Sequence, residues 1–387
     1  HFLEDHQMAI LTPDSFTLLD ARTGDSLAPE PQTLDWEIQS TELGSYPNYM
    51  IKEINEQPGI IRQIISDADQ LIPPISQAIS QAYGTYIIGC GTAGYAALAG
   101  TYLFSKIAKR HVNFSLASEF NYLTDFLTDR SLVIAISQSG ETIDVTEPSK
   151  ATQAKGSKIV ALTNVRGSTL WRLADYQLPV GAGPEKCVLA TKSFTAQLTH
   201  LFLLAHHFAE TLEIGKQHLL TACQAIDSLL DQSKQPLFDK IVNHIGHKQH
   251  IYIIGRGISY PIALESALKI KEVSYIHTEG FAAGELKHGV IALIEQDTPC
   301  IVFAPNDETH DATISNAIEI KSRGGTIIGI SPQPHECFDF YVPVPDCDDA
   351  SIIPNTVVAQ LLAYKLAAHL GLDPDKPRNL AKSVTVK

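Results

Sequence analysis

One short motif occurs twice in this chain. Residues 86–91 read Tyr-Ile-Ile-Gly-Cys-Gly, and residues 252–257 read Tyr-Ile-Ile-Gly-Arg-Gly. In each copy an apolar run of strand length ends at G-x-G, just before a helix-forming stretch. Similar runs alternate with helical stretches around both copies, and this alternation is typical of a parallel sheet covered by helices on both faces. The repeat therefore predicts a duplicated α/β domain.

The segments on either side of the repeat set the predicted boundaries. We predict strands in two series, at 85–89, 112–116, 132–137, 158–163 and 176–179, and at 250–255, 299–304, 326–330 and 340–342. Long helical stretches at 191–211 and 354–369 close the two units. Residues 2–20 indicate a β-hairpin and residues 24–46 a linker. The resulting regions are 1–48, two α/β domains at 49–213 and 214–371, and an aperiodic tail at 372–387.

The composition excludes several classes of protein. The chain has 387 residues, enough for two domains, and its 44% hydrophobic and 19% charged residues indicate a soluble globular protein. Lys and Arg number 29 against 43 Asp and Glu, and the net charge of −14 argues against nucleic-acid or polybasic membrane binding. Six cysteines without a C-x-x-C pair predict reduced thiols and a cytoplasmic location. No apolar stretch reaches the length of a membrane span.

A candidate anion site follows the third predicted strand. Residues 131–137 are an apolar run between two serines, and residues 138–142 continue as Gln-Ser-Gly-Glu-Thr before a helix-forming stretch. The first amides of a helix lack intrahelical partners and lie at the positive end of its dipole, so they can hold a phosphate. Ser137, Ser139 and Thr142 would add hydroxyl donors. Simple N-capping by one of these hydroxyls is the alternative, and the cluster alone does not decide between the two.

Residues 89–94 also match the G-x-G-x-x-G pattern of dinucleotide-binding domains. Glu119 lies near the end of the next predicted strand, where such domains place a ribose-binding acid. However, the second copy at 255–260 lacks the third glycine, and the serine-rich junction at 137–142 is not part of the dinucleotide pattern. We therefore predict that the chain uses no cofactor.

Two further segments carry titratable side chains. Glu265, Lys269 and Glu272 are spaced so that they share one face of a helix. A solvated face with ion pairs is the ordinary explanation, but apolar neighbours leave little exposed surface, and a carboxylate beside a lysine in an apolar cleft suits proton transfer. His288, in the glycine-bracketed segment 284–289, is either a proton shuttle or a loop histidine. Because no HExxH or paired His/Cys spacing occurs, we predict no metal site.

These motifs together resemble the isomerase half of the glutamine:fructose-6-phosphate amidotransferases, the glucosamine-6-phosphate synthases. The resemblance rests on five segments, at 90–92, 137–142, 265–272, 283–289 and 377–386, the last reading Pro-Arg-Asn-Leu-Ala-Lys-Ser-Val-Thr-Val. It runs from about residue 49 to the last residue, while residues 2–46 resemble the end of that family's glutaminase domain and its linker. The family's N-terminal cysteine nucleophile is absent, so we expect the isomerase part of a longer enzyme.

The resemblance implies a fold, a substrate and a binding site. It implies two sugar-isomerase (SIS) domains of flavodoxin-like topology, each a parallel sheet with helices on both faces, in a homodimer with shared active sites. Fructose 6-phosphate would be converted, with ammonia from the glutaminase domain, to glucosamine 6-phosphate. The implied binding residues are Thr92, Ser137, Gln138, Ser139 and Thr142 around the phosphate, and Val188 and Ala381 along the sugar.

The resemblance also implies catalytic roles. Lys382 would form a Schiff base with the ketone of the open-chain sugar, and Glu272 would move a proton between C1 and C2. Lys269 would help to position the sugar, and His288, from the partner subunit, would assist ring opening. General chemistry agrees, because an imine nitrogen carries charge better than a carbonyl oxygen while a base works on the adjacent carbons.

Two positions depart from the family pattern. Ala93 stands where the family usually has a serine after Cys-Gly-Thr, and Ala190 where it has one in Val-Ala-Ser-Thr-Lys. Each lost hydrogen bond would weaken sugar binding by about 0.5 to 1.5 kcal/mol. Two other functions remain open. One is a SIS-type deaminase or isomerase of another amino-sugar phosphate, and the other is a non-catalytic sugar-phosphate sensor, which would need neither Glu272 nor Lys382.

Overall fold

The computed structural model describes residues 1, 3, 5–31 and 42–386 of the chain, which divides into two units, residues 1–41 and 42–387. The first unit contains an antiparallel sheet of three strands: β1 (Gln7–Thr12), β2 (Ser15–Asp20) and β3 (Ser26–Leu27). Strands β1 and β2 form a hairpin where the sequence predicts one. The predicted linker at 24–46 lies partly, at 32–41, outside the described residues.

Two parallel five-stranded sheets make up the centre of the second unit. The strands of the first sheet are β4 (Gly84–Gly89), β5 (Asn113–Leu116), β6 (Ser131–Ser137), β7 (Lys158–Thr163) and β8 (Tyr176–Pro179). Those of the second are β9 (His250–Gly255), β10 (His277–Ala282), β11 (Pro299–Phe303), β12 (Thr326–Ser331) and β13 (Phe340–Pro343). The orders β5-β4-β6-β7-β8 and β10-β9-β11-β12-β13 are the same when counted within each repeat, and they match the flavodoxin-like order. The predicted duplication of a parallel α/β fold is confirmed.

Strand β10 was not predicted from the sequence. It lies at the edge of the second sheet and pairs in parallel with β9 along its whole length. Its sequence, His-Thr-Glu-Gly-Phe-Ala, contains a glycine and no continuous apolar run, and only two of its six residues are buried. An edge strand of this composition has no periodic signal, so its pairing with β9 decides its structure.

Helices cover the sheets and form much of the core. Their bounds are α1 (Tyr49–Gln81), α2 (Gly91–Lys106), α3 (Ala117–Phe120), α4 (Ile143–Ala154), α5 (Thr169–Leu173), α6 (Lys192–Phe208), α7 (Leu212–Leu230), α8 (Gln235–Ile245), α9 (Ser259–Ser274), α10 (His310–Lys321) and α11 (Ile352–His369). Helices α6 and α11, at the two predicted closing positions, are buried along most of their lengths. Helix α6 packs on α1 and α2, and α11 packs on α9. Of the helices in the described ranges, none is long and apolar enough to cross a membrane.

The repeated G-x-G motif has a structural cause. A Cβ atom on Gly89 would lie 2.6 Å from the carbonyl of Ala93, and one on Gly255 would lie 2.4 Å from the carbonyl of Ser259. The first glycine therefore lets the following helix approach the end of its strand. The second glycine, Gly91 or Gly257, has φ of +52° in both copies, a conformation that other residues rarely adopt. Close strand–helix packing accounts for the motif without a dinucleotide.

Two glycine substitutions should therefore have opposite effects on stability. Gly89→Ala forces a Cβ against the backbone of α2, and we expect it to destabilise the fold by about 1 to 3 kcal/mol or more. The matched control is Gly59→Ala, in the middle of α1, where an added Cβ meets nothing within 4 Å. This control should stabilise by about 0.5 to 1 kcal/mol. Urea denaturation followed by circular dichroism measures both, and shifts of the same sign would contradict the packing argument.

Candidate active site

The serine-rich junction at 138–142 connects the carboxyl end of β6 to α4. Ser137 Oγ accepts a hydrogen bond from the Gly140 amide at 3.0 Å and lies 3.2 Å from the Thr142 hydroxyl. Gly140 has φ of +67°, and a Cβ there would lie 2.0 Å from Ser168 Oγ, so the turn requires glycine. Thr142 stands at the N-cap position of α4 but makes no side-chain capping bond. The capping alternative therefore does not account for its hydroxyl.

A cavity of about 120 Å³ lies at this junction. It is lined by twelve residues, which include five predicted phosphate-binding residues and the tail lysine: Thr92, Ser137, Gln138, Ser139, Thr142 and Lys382. Ala93 and Ala190, the two positions that depart from the family pattern, line the same cavity. The structure thus brings together side chains from β6, α2 and a tail more than two hundred positions further along the chain.

Lys382 is held by a buried carboxylate. Its Nζ lies 2.6 Å from Glu185 Oε2, and the Glu185 side chain is 0% exposed. Glu185 also accepts hydrogen bonds from the amides of Thr191 and Ser193 and from the Ser193 hydroxyl. Burial would raise the pKa of Glu185, but the Lys382 ammonium and these donors hold that pKa below its ordinary value. The carboxylate and the ammonium therefore form a charged pair at the wall of the cavity.

The predicted cluster on α9 is buried rather than solvated. Lys269 Nζ lies 2.5 Å from Glu272 Oε2 and 3.5 Å from Glu265 Oε1, and the side chains of Lys269 and Glu265 are each 1% exposed. Glu272 is 20% exposed. Burial raises the pKa of Glu265 to about 8, although Lys269 acts to lower it. Burial would lower the pKa of Lys269, yet the carboxylates on either side keep it above its ordinary value.

One hydrogen bond connects this cluster to the cavity. The hydroxyl of Thr92, on α2 at the cavity wall, donates to Glu265 Oε1 at 3.2 Å. A continuous series of polar contacts therefore runs from the cavity through Thr92, Glu265 and Lys269 to Glu272. This arrangement connects the hydroxyl-rich lining of the cavity, a buried lysine and a partly exposed carboxylate.

The aperiodic tail is anchored instead of frayed. The Asp375 carboxylate accepts hydrogen bonds from the first two amides of α1, and the backbone carbonyl of Asp375 accepts one from the Val188 amide. The Arg378 guanidinium lies over the Tyr275 ring at 4.0 Å. Beyond Lys382, the Val384 carbonyl accepts a hydrogen bond from Ile143, the first amide of α4. These contacts tie the tail to α1, to the loop after Glu185, to the residue after α9 and to the start of α4.

Five predicted site residues are not among the cavity-lining residues: Lys269 and Glu272 of the α9 cluster, and Val188, Ala381 and His288. Val188 is half-buried in the loop that follows Glu185, and Ala381 is exposed beside Lys382. His288 is an exposed residue at the end of a 3-10 turn, Ala283–His288. Within the described parts of the chain, no hydrogen bond or ion pair connects His288 to the cavity. Its contribution from a partner subunit stays a prediction.

Two residues at the site were missed by reasoning from the sequence. Glu185 lies in an irregular glycine- and proline-rich loop after β8, where no periodicity marks it. Gln197, on α6, lines the cavity and is buried, and its Oε1 has no hydrogen-bond partner among the described residues. In the sequence Gln197 looks like any other polar residue of a helix, and only the structure shows that it lies at the cavity.

A second buried carboxyl group lies behind the same loop. Glu53, on α1, accepts hydrogen bonds through Oε1 from the amides of Lys186 and Cys187. Its Oε2 is buried, and the described residues offer it no partner. Burial, together with the negative charge of Glu185, raises the pKa of Glu53 to about 7.

The raised pKa of Glu53 predicts a pH dependence of stability. Its folded-state pKa of about 7 exceeds an unfolded value of about 4.3, so the folded chain holds the extra proton between these values. The contribution is complete below the unfolded pKa and is lost as the pH rises through the folded one. It is on the order of 3 to 4 kcal/mol. Glu53→Gln should lack this loss. Urea denaturation of both proteins across this pH range measures it, and parallel pH curves would contradict the assignment.

Comparison with known proteins places this geometry in context. The SIS domain profile matches residues 78–207 and 244–370. The chain is 40% identical over 396 residues to the glutamine–fructose-6-phosphate aminotransferase (isomerizing) of Thermococcus kodakarensis, covering 100% of this chain and 66% of that protein. The chain thus spans about two thirds of the length of that relative.

Solved structures show the same similarity. The C-terminal domain of glucosamine-fructose-6-phosphate aminotransferase from Francisella tularensis superposes with a TM-score of 0.81 at 32% identity, covering 87% of this chain and 100% of that one. Glucosamine-6-phosphate deaminase from Thermotoga maritima shares the fold, with a TM-score of 0.71 at 24% identity over 87% of this chain and 99% of that one.

Proposed function

Since the chain belongs to the SIS-domain family, and within it to the glutamine–fructose-6-phosphate aminotransferases, we propose that it is the sugar-phosphate isomerase part of such an enzyme. It converts fructose 6-phosphate and ammonia to glucosamine 6-phosphate. The proposal rests on one observation: the hydroxyls of the 137–142 junction and the amine of Lys382 line the same cavity. That combination suits a substrate with a phosphate at one end and a reactive carbonyl along its chain.

The phosphate binds at the start of α4. Hydroxyls of Ser137, Ser139 and Thr142 donate to its oxygens, and the positive end of the helix dipole favours its charge. The amide of Ile143 donates to the Val384 carbonyl in this structure. A bound phosphate oxygen would take the place of that carbonyl, which couples the position of the tail to substrate binding.

The chemistry proceeds through the tail lysine. Lys382 condenses with the C2 ketone of the open-chain sugar, and the imine makes the C1 proton more acidic because its nitrogen carries positive charge. Glu272, the most exposed carboxylate of the α9 cluster, removes the proton from one carbon and returns it to the other. Lys269 holds Glu272 in place through the 2.5 Å ion pair.

The reaction also needs a source of ammonia and a partner subunit. Ammonia comes from a glutaminase domain, as in the full-length relatives. Within this chain, Val188 and Ala381 lie along the sugar. His288 assists ring opening from the partner subunit of a homodimer, which fits its exposed position and its separation from the cavity of its own chain. The enzyme works in the cytoplasm, where phosphorylated sugars and reduced thiols occur together.

Two other functions remain as alternatives. The shared fold of the Thermotoga maritima deaminase leaves open a deaminase or isomerase of another amino-sugar phosphate. A non-catalytic sugar-phosphate sensor is weaker, because a sensor has no need for a buried lysine–carboxylate cluster beside its cavity.

A turnover assay separates the three functions. The purified chain is incubated with fructose 6-phosphate alone, which should give glucose 6-phosphate, and with added ammonium chloride, which should also give glucosamine 6-phosphate. A panel of other hexose phosphates serves as the comparison. Faster turnover of another member would favour the deaminase or isomerase alternative, and binding without any turnover would favour the sensor.

A further inference from the structure

We propose that Glu185 is a catalytic residue of the imine-forming step, in which it holds the amine of Lys382 in place and accepts its proton. This inference rests on the proposed function, because it gives Glu185 a part in the reaction of Lys382. It goes beyond the resemblance to known enzymes, which implies no role for Glu185. Three features of the structure support it: the contact with the reacting nitrogen, the rigid support of the carboxylate, and its isolation from water.

The contact is made with the atom that reacts. Glu185 Oε2 lies 2.6 Å from Lys382 Nζ, whereas the Leu189 carbonyl oxygen lies 3.5 Å from that nitrogen. In the described parts of the chain, no second carboxylate forms an ion pair with Lys382. A proton that leaves Nζ therefore has one nearby acceptor of suitable chemistry.

The carboxylate is fixed by the start of α6. Glu185 Oε1 accepts from the Thr191 amide at 3.0 Å and the Ser193 amide at 3.1 Å, and Oε2 accepts from the Ser193 hydroxyl at 2.9 Å. These donors belong to the first turn of the helix, where the dipole stabilises negative charge. The position of Glu185 is thus set without Lys382, and it stays in place while the lysine changes from ammonium to amine to imine.

The two buried carboxyl groups in this region have pKa values shifted in opposite directions. Burial and the proximity of Glu185 raise the pKa of Glu53 to about 7. The pKa of Glu185 is lowered, since Lys382 and the donors on α6 outweigh its burial. The buried Glu185 carboxylate needs a cationic partner such as Lys382, because an unpaired charge at its position would be strongly destabilising.

Glu185 takes one proton from Lys382 and later returns it. Transfer of one proton from the Lys382 ammonium to Glu185 leaves a neutral amine, whose lone pair forms the C–N bond at C2, and a second N–H proton passes to the carbonyl oxygen to give a neutral carbinolamine. Protonated Glu185 returns its proton to the departing hydroxyl, and water leaves. The protonated imine then faces the restored carboxylate. Ammonium and ketone have become protonated imine and water.

The test measures imine formation separately from sugar binding. Wild type and Glu185→Gln are mixed with fructose 6-phosphate and sodium borohydride, and the rate of reductive labelling of the peptide that contains Lys382 is followed. Binding of glucitol 6-phosphate, which has no carbonyl group, is measured in parallel. The matched control is Glu56→Gln, which removes a carboxylate that pairs with Lys192 at 2.7 Å, away from the reacting lysine.

We expect Glu185→Gln to slow labelling about 10²-fold, the usual contribution of a positioned proton acceptor. Binding of glucitol 6-phosphate should be retained, Glu56→Gln should label like the wild type, and Glu185→Asp should recover part of the rate. Equal labelling rates in wild type and Glu185→Gln would overturn the role of Glu185, and so would equal slowing by Glu56→Gln. If Glu185→Gln does not fold, Glu185→Asp is used in its place. A labelling rate in Glu185→Asp equal to that of the wild type would overturn the role of Glu185. Wild type that fails to label contradicts the proposed function itself.

Discussion

Replacing Lys382 by methionine is expected to reduce the isomerisation of fructose 6-phosphate by about 10³-fold or more, the scale seen when a covalent nucleophile is removed. Without the amine, no imine forms at C2, and the base must work on an unactivated ketone. A coupled assay for glucose 6-phosphate measures the loss. The matched control is Lys376→Met, an exposed lysine of the same tail, which should retain the wild-type rate.

The Lys382→Met substitution should also lower the stability of the protein, and a second substitution separates this effect from the loss of activity. Lys382→Met leaves Glu185 buried and without its cation, so the variant should also melt at a lower temperature. Adding Glu185→Gln removes the uncompensated charge and should restore much of the melting temperature without restoring the rate. Recovery of isomerisation in this double variant would mean that Lys382 serves only to hold the fold.

Replacing Glu272 by glutamine should separate imine formation from proton transfer. The amide cannot accept the C1 proton, so exchange of that proton with deuterated solvent should fall by about 10² to 10⁴-fold, the range for a general base. Sugar binding and borohydride labelling at Lys382 should persist because neither step needs Glu272. Proton NMR of fructose 6-phosphate in deuterated water measures the exchange directly.

The control for this substitution is Glu213→Gln on α7. Glu213 forms an i,i+3 ion pair with Lys216 at 2.7 Å, as Glu272 does with Lys269 in the reverse order along the helix, but the Glu213 side chain is 79% exposed. It should leave the exchange unchanged. If exchange in Glu272→Gln matches that of the wild type, another group is the base.

The fold was predictable because its strongest signals are local. Each buried strand of a parallel sheet is a continuous apolar run, and β6 and β11 are buried along their whole lengths. The repeated glycines mark the same close approach of strand and helix in both domains. The edge strand β10 was missed because its extended structure depends on pairing with β9, and its own residues carry no strand pattern.

The candidate site was predictable only in part. The 137–142 junction and the spacing of Lys269 and Glu272 are contained in short segments. In the structure the junction forms a cavity wall, and the buried Lys269 forms an ion pair with the partly exposed Glu272. Glu185 meets its partner Lys382 almost two hundred positions away, and Gln197 reaches the cavity from a helix buried all round. Such contacts depend on tertiary packing, which no local pattern encodes.

The proposed function requires Lys382 to react covalently with the sugar in the cavity beside the 137–142 junction. Borohydride reduction in the presence of fructose 6-phosphate, followed by proteolysis and mass spectrometry, detects this bond. We expect one hexitol phosphate adduct per chain, on the peptide that contains Lys382, and competition by glucosamine 6-phosphate. An adduct on another lysine, such as Lys269, or the absence of any adduct under turnover conditions would contradict it.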